Sequence, residues 1–144
     1  MNKVYTSQSV VNFAISDQWI VIDSDITLTA NVTMGENVVI EFQGGRILSH
    51  VDVHITGTYT KVVAPITQIF GDNIICDGMW ILDRAYPQWF TSQNYNYPLT
   101  IGNGELAFDN NTNINADWTP VINKAISICG YKWTYLMQYI YWSK

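Results

Sequence analysis

Short apolar runs at a recurring spacing are the feature that most constrains the fold of this chain. In Ile26–Met34, five apolar residues alternate with threonine or asparagine. This period of two is typical of a strand with one buried face, and it returns over residues 38–42 and 51–55. Glycine-bearing corners, typical of tight turns, separate the runs at Gly44, Gly45, Gly57, Gly71 and Gly78. We therefore predict a succession of short strands, with positive φ at Gly44 or Gly45.

The strands can be aligned in two interleaved series. One passes near Ala30, Val53 and Ile75, and the other near Ile40, Lys61 and Trp80. A recurrence of about 20 residues is typical of a β-solenoid, in which each coil buries its inward side chains on the next. Turn signals also recur every 8 to 12 residues in an antiparallel sandwich. The periodicity alone leaves both architectures open.

Composition favours a folded, mostly β protein. Valine, isoleucine and threonine make up 43 of 144 residues, and only 13% of the residues are charged. The net charge of −5 and the scattered basic residues argue against a nucleic-acid partner. The N-terminus has no basic region followed by an apolar core, and no run is long enough to cross a bilayer, so we expect no membrane partner.

The chain divides into four segments: residues 1–18, an N-terminal attachment segment; 19–85, the coils; 86–130, an aromatic linker, asparagine-rich loop and helix; and 131–144, an aromatic tail. The helix is predicted over Asp117–Cys129, capped by Asp117 and ended by Gly130. Its apolar stripe comprises Trp118, Val121, Ile122, Ala125, Ile126 and Cys129.

The aromatic tail holds six of the twenty aromatic residues of the chain. They are Tyr131, Trp133, Tyr135, Tyr139, Tyr141 and Trp142. A solvated tail of this kind would expose more ring surface than soluble monomers usually carry, so it must pack on something. Because such rings are enriched at interfaces, we predict that these six residues form an interface with another subunit or protein.

Three elements carry a family resemblance. The run from Trp19 to Ile55, with Phe42–Ile47 inside it, and the following Ile55–Pro65 look like the opening coils of right-handed parallel β-helix proteins of the pectate-lyase-like superfamily. Tyr86–Phe90 is similar to the Y-P-E-W-F element that follows those coils. Residues 117–126 resemble the D-D-T-x-A-I-x-K-A-I helix that caps the main β-helix of the family. Phage tailspikes and tail-fibre proteins are common bearers of this layout, which implies a short right-handed parallel β-helix with one capping helix.

Departures from the family shape the functional expectation. Thr91–Asn94 replaces the usual G-A-K-G-D-G, Trp118 stands in place of the second aspartate, and no long β-helix follows. The resemblance implies a truncated, non-enzymatic virion structural protein used in tail or fibre assembly. Its partners would be two further copies in a homotrimer and other virion proteins, in the host cytoplasm before assembly and in the virion after it. The alternative is a carbohydrate-active or receptor-binding protein that acts on bacterial surface polysaccharide.

Several acidic and histidine side chains have both a chemical and a structural interpretation. Paired acids could hydrolyse a glycosidic bond, as Asp23 with Asp25 or Asp72 with Asp77, and Asp83 precedes Arg84. Acids at strand ends and corners are usually solvated or form turns, so we predict structural roles for these five. His50 and His54, with Asp52 between them, lack a third well-spaced metal ligand, so we predict surface histidines.

Neither the motifs nor the remaining reactive groups predict chemistry. The sequence contains no phosphate-binding loop, nucleophile elbow or H-E-x-x-H pair, and we assign no catalytic residue, metal ligand or cofactor. Cys76 and Cys129 are predicted to be buried thiols. Trp89, Tyr95 and Tyr97 could stack on sugar rings, but we favour packing because Trp89 lies between a strand and a helix.

Overall fold

The computed structural model describes residues 1–91, 100–102, 105–107 and 119–129. They form a parallel β-solenoid of about three turns, accompanied by one α-helix. The elements, in chain order, are β1 (Lys3–Tyr5), β2 (Trp19–Ile22), β3 (Ile26–Leu28), β4 (Val32–Thr33), β5 (Val39–Phe42), β6 (Ile47–Ser49), β7 (Val53–Val63), β8 (Ile74–Ile81), a 3-10 helix (Pro87–Phe90), β9 (Thr100–Gly102), β10 (Glu105–Ala107) and α1 (Thr119–Cys129).

Each coil contributes to three faces. The first face stacks β1, β2, β5 and the later parts of β7 and β8, so that the equivalent residues are Lys3, Trp19, Val39, Lys61 and Ile81. The second face pairs β3 with β6, which Phe70 extends. The third stacks β4 on the early parts of β7 and β8. All pairings within residues 1–91 are parallel, which decides for the solenoid over the sandwich.

The predicted recurrence is confirmed, but its register was wrong by one residue at three steps. Lys61 pairs with Val39 rather than Ile40, and with Ile81 rather than Trp80. Similarly, Val53 pairs with Ile74 and not Ile75. The spacing of paired residues varies along the stack: it is 22 from Val39 to Lys61 and 21 from Val53 to Ile74, and a β-bulge between Thr58 and Thr60 reduces it to 20 from Lys61 to Ile81.

The prediction of one strand over Ile26–Met34 was wrong. β3 and β4 lie on different faces, and the corner between them exposes Ala30. The alternation at Val51 also failed, because this residue lies in a corner with 55% of its surface exposed. Alternation can continue through such a corner when the chain keeps its inward and outward sense, so the pattern alone hides the bend.

The core consists of side chains stacked from coil to coil. Ile20 stacks on Ile40, and Ile55 on Cys76, with all four at most 2% exposed. An aromatic column crosses three coils: the ring centroids of Phe42 and Phe70 are 5.5 Å apart, and those of Phe70 and Phe90 are 5.2 Å apart. Edge-to-face and stacked rings at these distances stabilise beyond their buried area.

The Gly44–Gly45 corner has the predicted conformation at its first residue, where φ is +94°. Gly45 is constrained differently. A Cβ built there would lie 2.5 Å from the backbone oxygen of Ser24 on the preceding coil. The corner therefore needs one glycine for its dihedral angle and the other for close contact between coils.

The Tyr86–Phe90 element continues the stack beyond β8. The Trp89 carbonyl accepts hydrogen bonds from the amides of Ile69 and Phe70, at 3.0 and 2.8 Å. The Trp89 indole donates to the Pro65 carbonyl at 2.8 Å. These contacts place the 3-10 helix against the preceding coil.

The predicted helix is confirmed from Thr119 onward, while Asp117, Trp118 and Gly130 lie outside the described residues. It packs against β8 and the 3-10 helix, the last described parts of the stack. Val121, Ala125 and Cys129 are buried as predicted, and Ile122 and Ile126 pack half-buried beside them. Ile128, which the predicted stripe omitted, is 1% exposed.

The asparagine-rich region was predicted to be loop throughout, and this was wrong in part. β9 and β10 pair antiparallel, with Glu105 opposite Gly102 and Ala107 opposite Thr100. The connecting sequence is Asn103-Gly104, a strong hairpin signal that the asparagine content obscured.

Candidate functional site

The first pair of candidate acids links neighbouring coils. Asp23 accepts hydrogen bonds from the Ser7 amide and hydroxyl, at 2.9 and 2.6 Å, and from the Thr6 hydroxyl at 3.0 Å. The Ser7 and Thr6 hydrogen bonds lower the pKa of Asp23. Arg46 holds Asp25 through two side-chain hydrogen bonds of 2.7 and 3.2 Å and lowers the pKa of that carboxyl. Both carboxylates are thus engaged by protein donors, which does not suit a pair of catalytic acids.

A polar cluster around Glu41 was not predicted from the sequence. Glu41 accepts hydrogen bonds from the Trp19 indole at 3.0 Å and the Lys3 ammonium at 3.3 Å, and also from the Gln43 amide. The Gln43 hydrogen bond, followed by those of Lys3 and Trp19, lowers the pKa of Glu41. The Lys3 ammonium also lies 4.7 Å from the centre of the Trp19 ring. This cluster joins β1, β2 and β5, and only the register of the coils brings it together.

The predicted histidine and acid candidates separate in the structure. His54 pairs with Asp77 on the next coil, and Asp77 also accepts a 3.3 Å hydrogen bond from Ser127 of α1. His50 lies in the corner before β7, so it does not share a strand with His54. Within the described residues, no three His, Cys, Asp or Glu side chains gather as metal ligands.

Ser127, Asp77 and His54 do not form a nucleophilic triad. A triad needs the histidine between the hydroxyl and the carboxylate, so that the imidazole can accept the hydroxyl proton. Here the carboxylate lies between the other two groups. The arrangement joins β7, β8 and α1 and does not place the His54 imidazole next to the Ser127 hydroxyl.

The two cysteines are buried thiols, as predicted. Burial raises the pKa of the Cys76 thiol well above its usual range, which disfavours the reactive thiolate.

Lys124 of α1 donates to the Asp72 carbonyl. Loss of hydration lowers the pKa of Lys124, while Asp72 and Asp52 oppose that shift.

The structure describes only some of the aromatic candidates. Trp89 and Phe90 are buried at 3% and 0% exposure, which confirms packing and removes Trp89 as a sugar platform. Tyr95 and Tyr97 lie outside the described residues. So do the six predicted interface residues of the aromatic tail, Tyr131, Trp133, Tyr135, Tyr139, Tyr141 and Trp142.

A groove that the sequence did not predict lies beside β3 and β4, which together with β2 form the first coil. Its volume is about 880 Å³, and it is lined by Thr6, residues 8–14 and residues of β3 and β4. Phe13 is buried beneath it, and Leu28 and Val32 pack half-buried against the same core. None of the lining residues that the structure describes carries a charge. We call this feature the first-coil groove.

The strands beside the first-coil groove each have one unpaired edge. Within the described residues, β3 pairs only with β6 and β4 only with β7. The amide of Ile26 bonds to the Arg46 carbonyl on the β6 side, so the alternation of a parallel ladder directs the peptide groups of Thr27 toward the groove. Such an edge can accept a further strand by backbone hydrogen bonding.

No described helix is long and apolar enough to cross a membrane. Comparison with known proteins adds no relative: no family model, curated protein or solved structure matches this chain.

Proposed function

We propose that this chain is a non-enzymatic structural protein of a bacteriophage virion, a tailspike- or tail-fibre-like β-helix module that acts in tail or fibre assembly. The observation that carries the proposal is the use of acidic side chains to hold coils together. Asp25 pairs with Arg46 and Asp77 with His54 on the next coil, and Glu41 pairs with Lys3 two coils away. A scaffold requires such contacts, whereas a glycosidase requires two carboxyl groups directed at a sugar.

The proposed partners are two further copies in a homotrimer and other virion proteins. The aromatic tail provides the proposed interface. The edges of β3 and β4 that are unpaired among residues 1–91 provide a second surface that favours association. The chain would occupy the host cytoplasm before assembly and the tail or fibre afterwards, and the proposal includes no cofactor.

Purified virions provide the direct test. We expect peptides of this chain in the mass spectrum of density-purified particles, and labelling by a specific antibody at the tail or fibre in electron micrographs. Particles from which the protein is absent, prepared from cells that express it, would contradict the structural role.

The alternative role is binding or cleavage of bacterial surface polysaccharide. It is favoured by the ring of Tyr59, which is 64% exposed at the bulge of β7 and available to stack on a sugar. Incubation with host capsule, followed by a reducing-end assay and a binding assay, separates the two roles. Turnover, or binding lost in Tyr59→Ala, would favour the alternative.

A further inference from the structure

We infer that the first-coil groove of one copy receives the aromatic tail of another copy as an added strand. The inference rests on the proposed self-association and gives it a specific contact. The groove offers an apolar floor beside two strand edges that no described residue pairs with. Strand addition at such an edge takes affinity from backbone hydrogen bonds and selectivity from alternate side chains.

The absence of charge in the groove selects its occupant. Among the described residues, its lining contains no Asp, Glu, Lys, Arg or His, although the chain as a whole has a net charge of −5. Within the aromatic tail, residues 135–142 form an eight-residue run without charge that contains four of the six predicted interface rings. Residues 26–33, which span β3, the corner and β4, have the same length, so the added strand would bend with them at the corner. An uncharged strand can therefore occupy the groove without burying an unpaired charge.

The short connection between α1 and the aromatic tail favours docking in the groove of a second copy over docking in the groove of the same chain. From Cys129, the last residue of α1, six residue steps lead to Tyr135, and they span at most about 22 Å when fully extended. β4 lies two strand spacings from β8, because β7 lies between them, and the groove lies one spacing beyond β4. α1 packs beyond β8. With spacings of about 4.8 Å and about 10 Å for the helix layer, the path through the core is about 24 Å, and the path around it is longer.

The geometry of such a contact agrees with the proposed trimer. Tail-to-groove docking uses two different surfaces, so it is heterologous, and heterologous contacts form closed rings when the rotation between copies closes. Three copies exchanging tails would form such a ring, with each groove filled and each tail covered.

Two matched threonines test the contact in the full-length chain. Thr27 and Thr29 are both exposed, but only Thr27 lines the groove. Thr27→Glu places a charge on the groove and should lower self-association at least tenfold in sedimentation velocity, whereas Thr29→Glu should leave it unchanged. Equal effects of the two substitutions, or a monomeric parent protein, would overturn the inference.

Cross-linking identifies the chain that supplies the tail. A photoreactive benzoylphenylalanine replaces Tyr139 in the full-length protein. Unlabelled (light) and ¹⁵N-labelled (heavy) chains are mixed in denaturant and refolded together. We expect cross-links between light and heavy chains at residues 8–14 or 26–33. Cross-links within one chain only, or to other regions, would refute exchange between copies. Because neither experiment uses virions, the inference can fail while the virion role stands, and the reverse also holds.

Discussion

At the scale of single residues, the corners between coils show how close packing and backbone angles make different demands. Gly44 has positive φ and open space where a Cβ would be, whereas the Cβ position of Gly45 is occupied by the Ser24 backbone. A polar contact lies at the same corner. Asp25 and Arg46 connect the two coils that meet there, with side chains 42% and 39% exposed.

Alanine substitutions should separate the two glycine roles. Gly44→Ala adds only the cost of a left-handed backbone, about 1 kcal/mol of unfolding free energy. Gly45→Ala forces two backbones apart and should cost about 3 kcal/mol. Urea unfolding of the two variants measures the difference, and equal losses would show that close contact does not restrict Gly45.

The Asp25–Arg46 pair should contribute stability that depends on pH. Because Arg46 lowers the pKa of folded Asp25, this contribution is complete above the unfolded value of 3.8 and is lost as pH falls through the lower folded value. Asp25→Asn should therefore cost about 0.5–1 kcal/mol at pH 7, a small value because the pair is well exposed, and close to nothing at acid pH. Chemical denaturation at both pH values, with Asp83→Asn as the exposed control, checks this; a loss that persists in acid would contradict the ion-pair explanation.

At the scale of elements, α1 is attached to the solenoid by apolar and polar contacts of different kinds. Its buried face includes Ala125 and Ile128, at 0% and 1% exposure. Lys124 and Ser127 reach the Asp72 carbonyl and the Asp77 carboxylate, at the beginning and middle of the last coil. The helix thus covers apolar side chains that a solenoid would otherwise leave exposed at β8.

Truncation of Ile128, the buried α1 residue that the predicted apolar stripe did not include, tests whether α1 unfolds together with the solenoid. Ile128→Ala should lower the free energy of unfolding by about 2–4 kcal/mol, because a fully buried side chain leaves a cavity. The exposed Asn123→Ala is the matched control and should change it by no more than about 0.5 kcal/mol. Thermal denaturation followed by circular dichroism compares them, and an Ile128 variant as stable as the control would mean that the helix contributes nothing.

At the scale of the whole molecule, the solenoid has two unlike ends. The last coil is covered by the 3-10 helix and α1, whereas β3 and β4 of the first coil have unpaired edges beside the groove in the described part of the chain. An unpaired edge is a template for another strand, so association should take place at the first coil.

Deletion of residues 131–144 should separate folding from association. Since the coils bury their own apolar side chains, the β-rich circular dichroism spectrum should remain, while the sedimentation coefficient falls to that of a monomer. An unfolded deletion protein would place the aromatic tail in the core of its own chain. Assembly that survives the deletion would assign the contact to another surface.

The sequence alone was sufficient to predict the strand-rich composition, the corner glycine with positive φ, the buried thiols and the helix after the aromatic element. These features depend on local chemistry: alternation reports which side chains are buried, and glycine reports backbone angles. It also predicted that Asp23 and Asp25 are structural. The tertiary structure decided the register of the coils, the bend that divides Ile26–Met34, the clustering of Lys3, Trp19 and Glu41, and the first-coil groove. Such features join residues about 20 positions apart on successive coils, and a pattern of period two identifies a buried face without identifying the strand that pairs beside it.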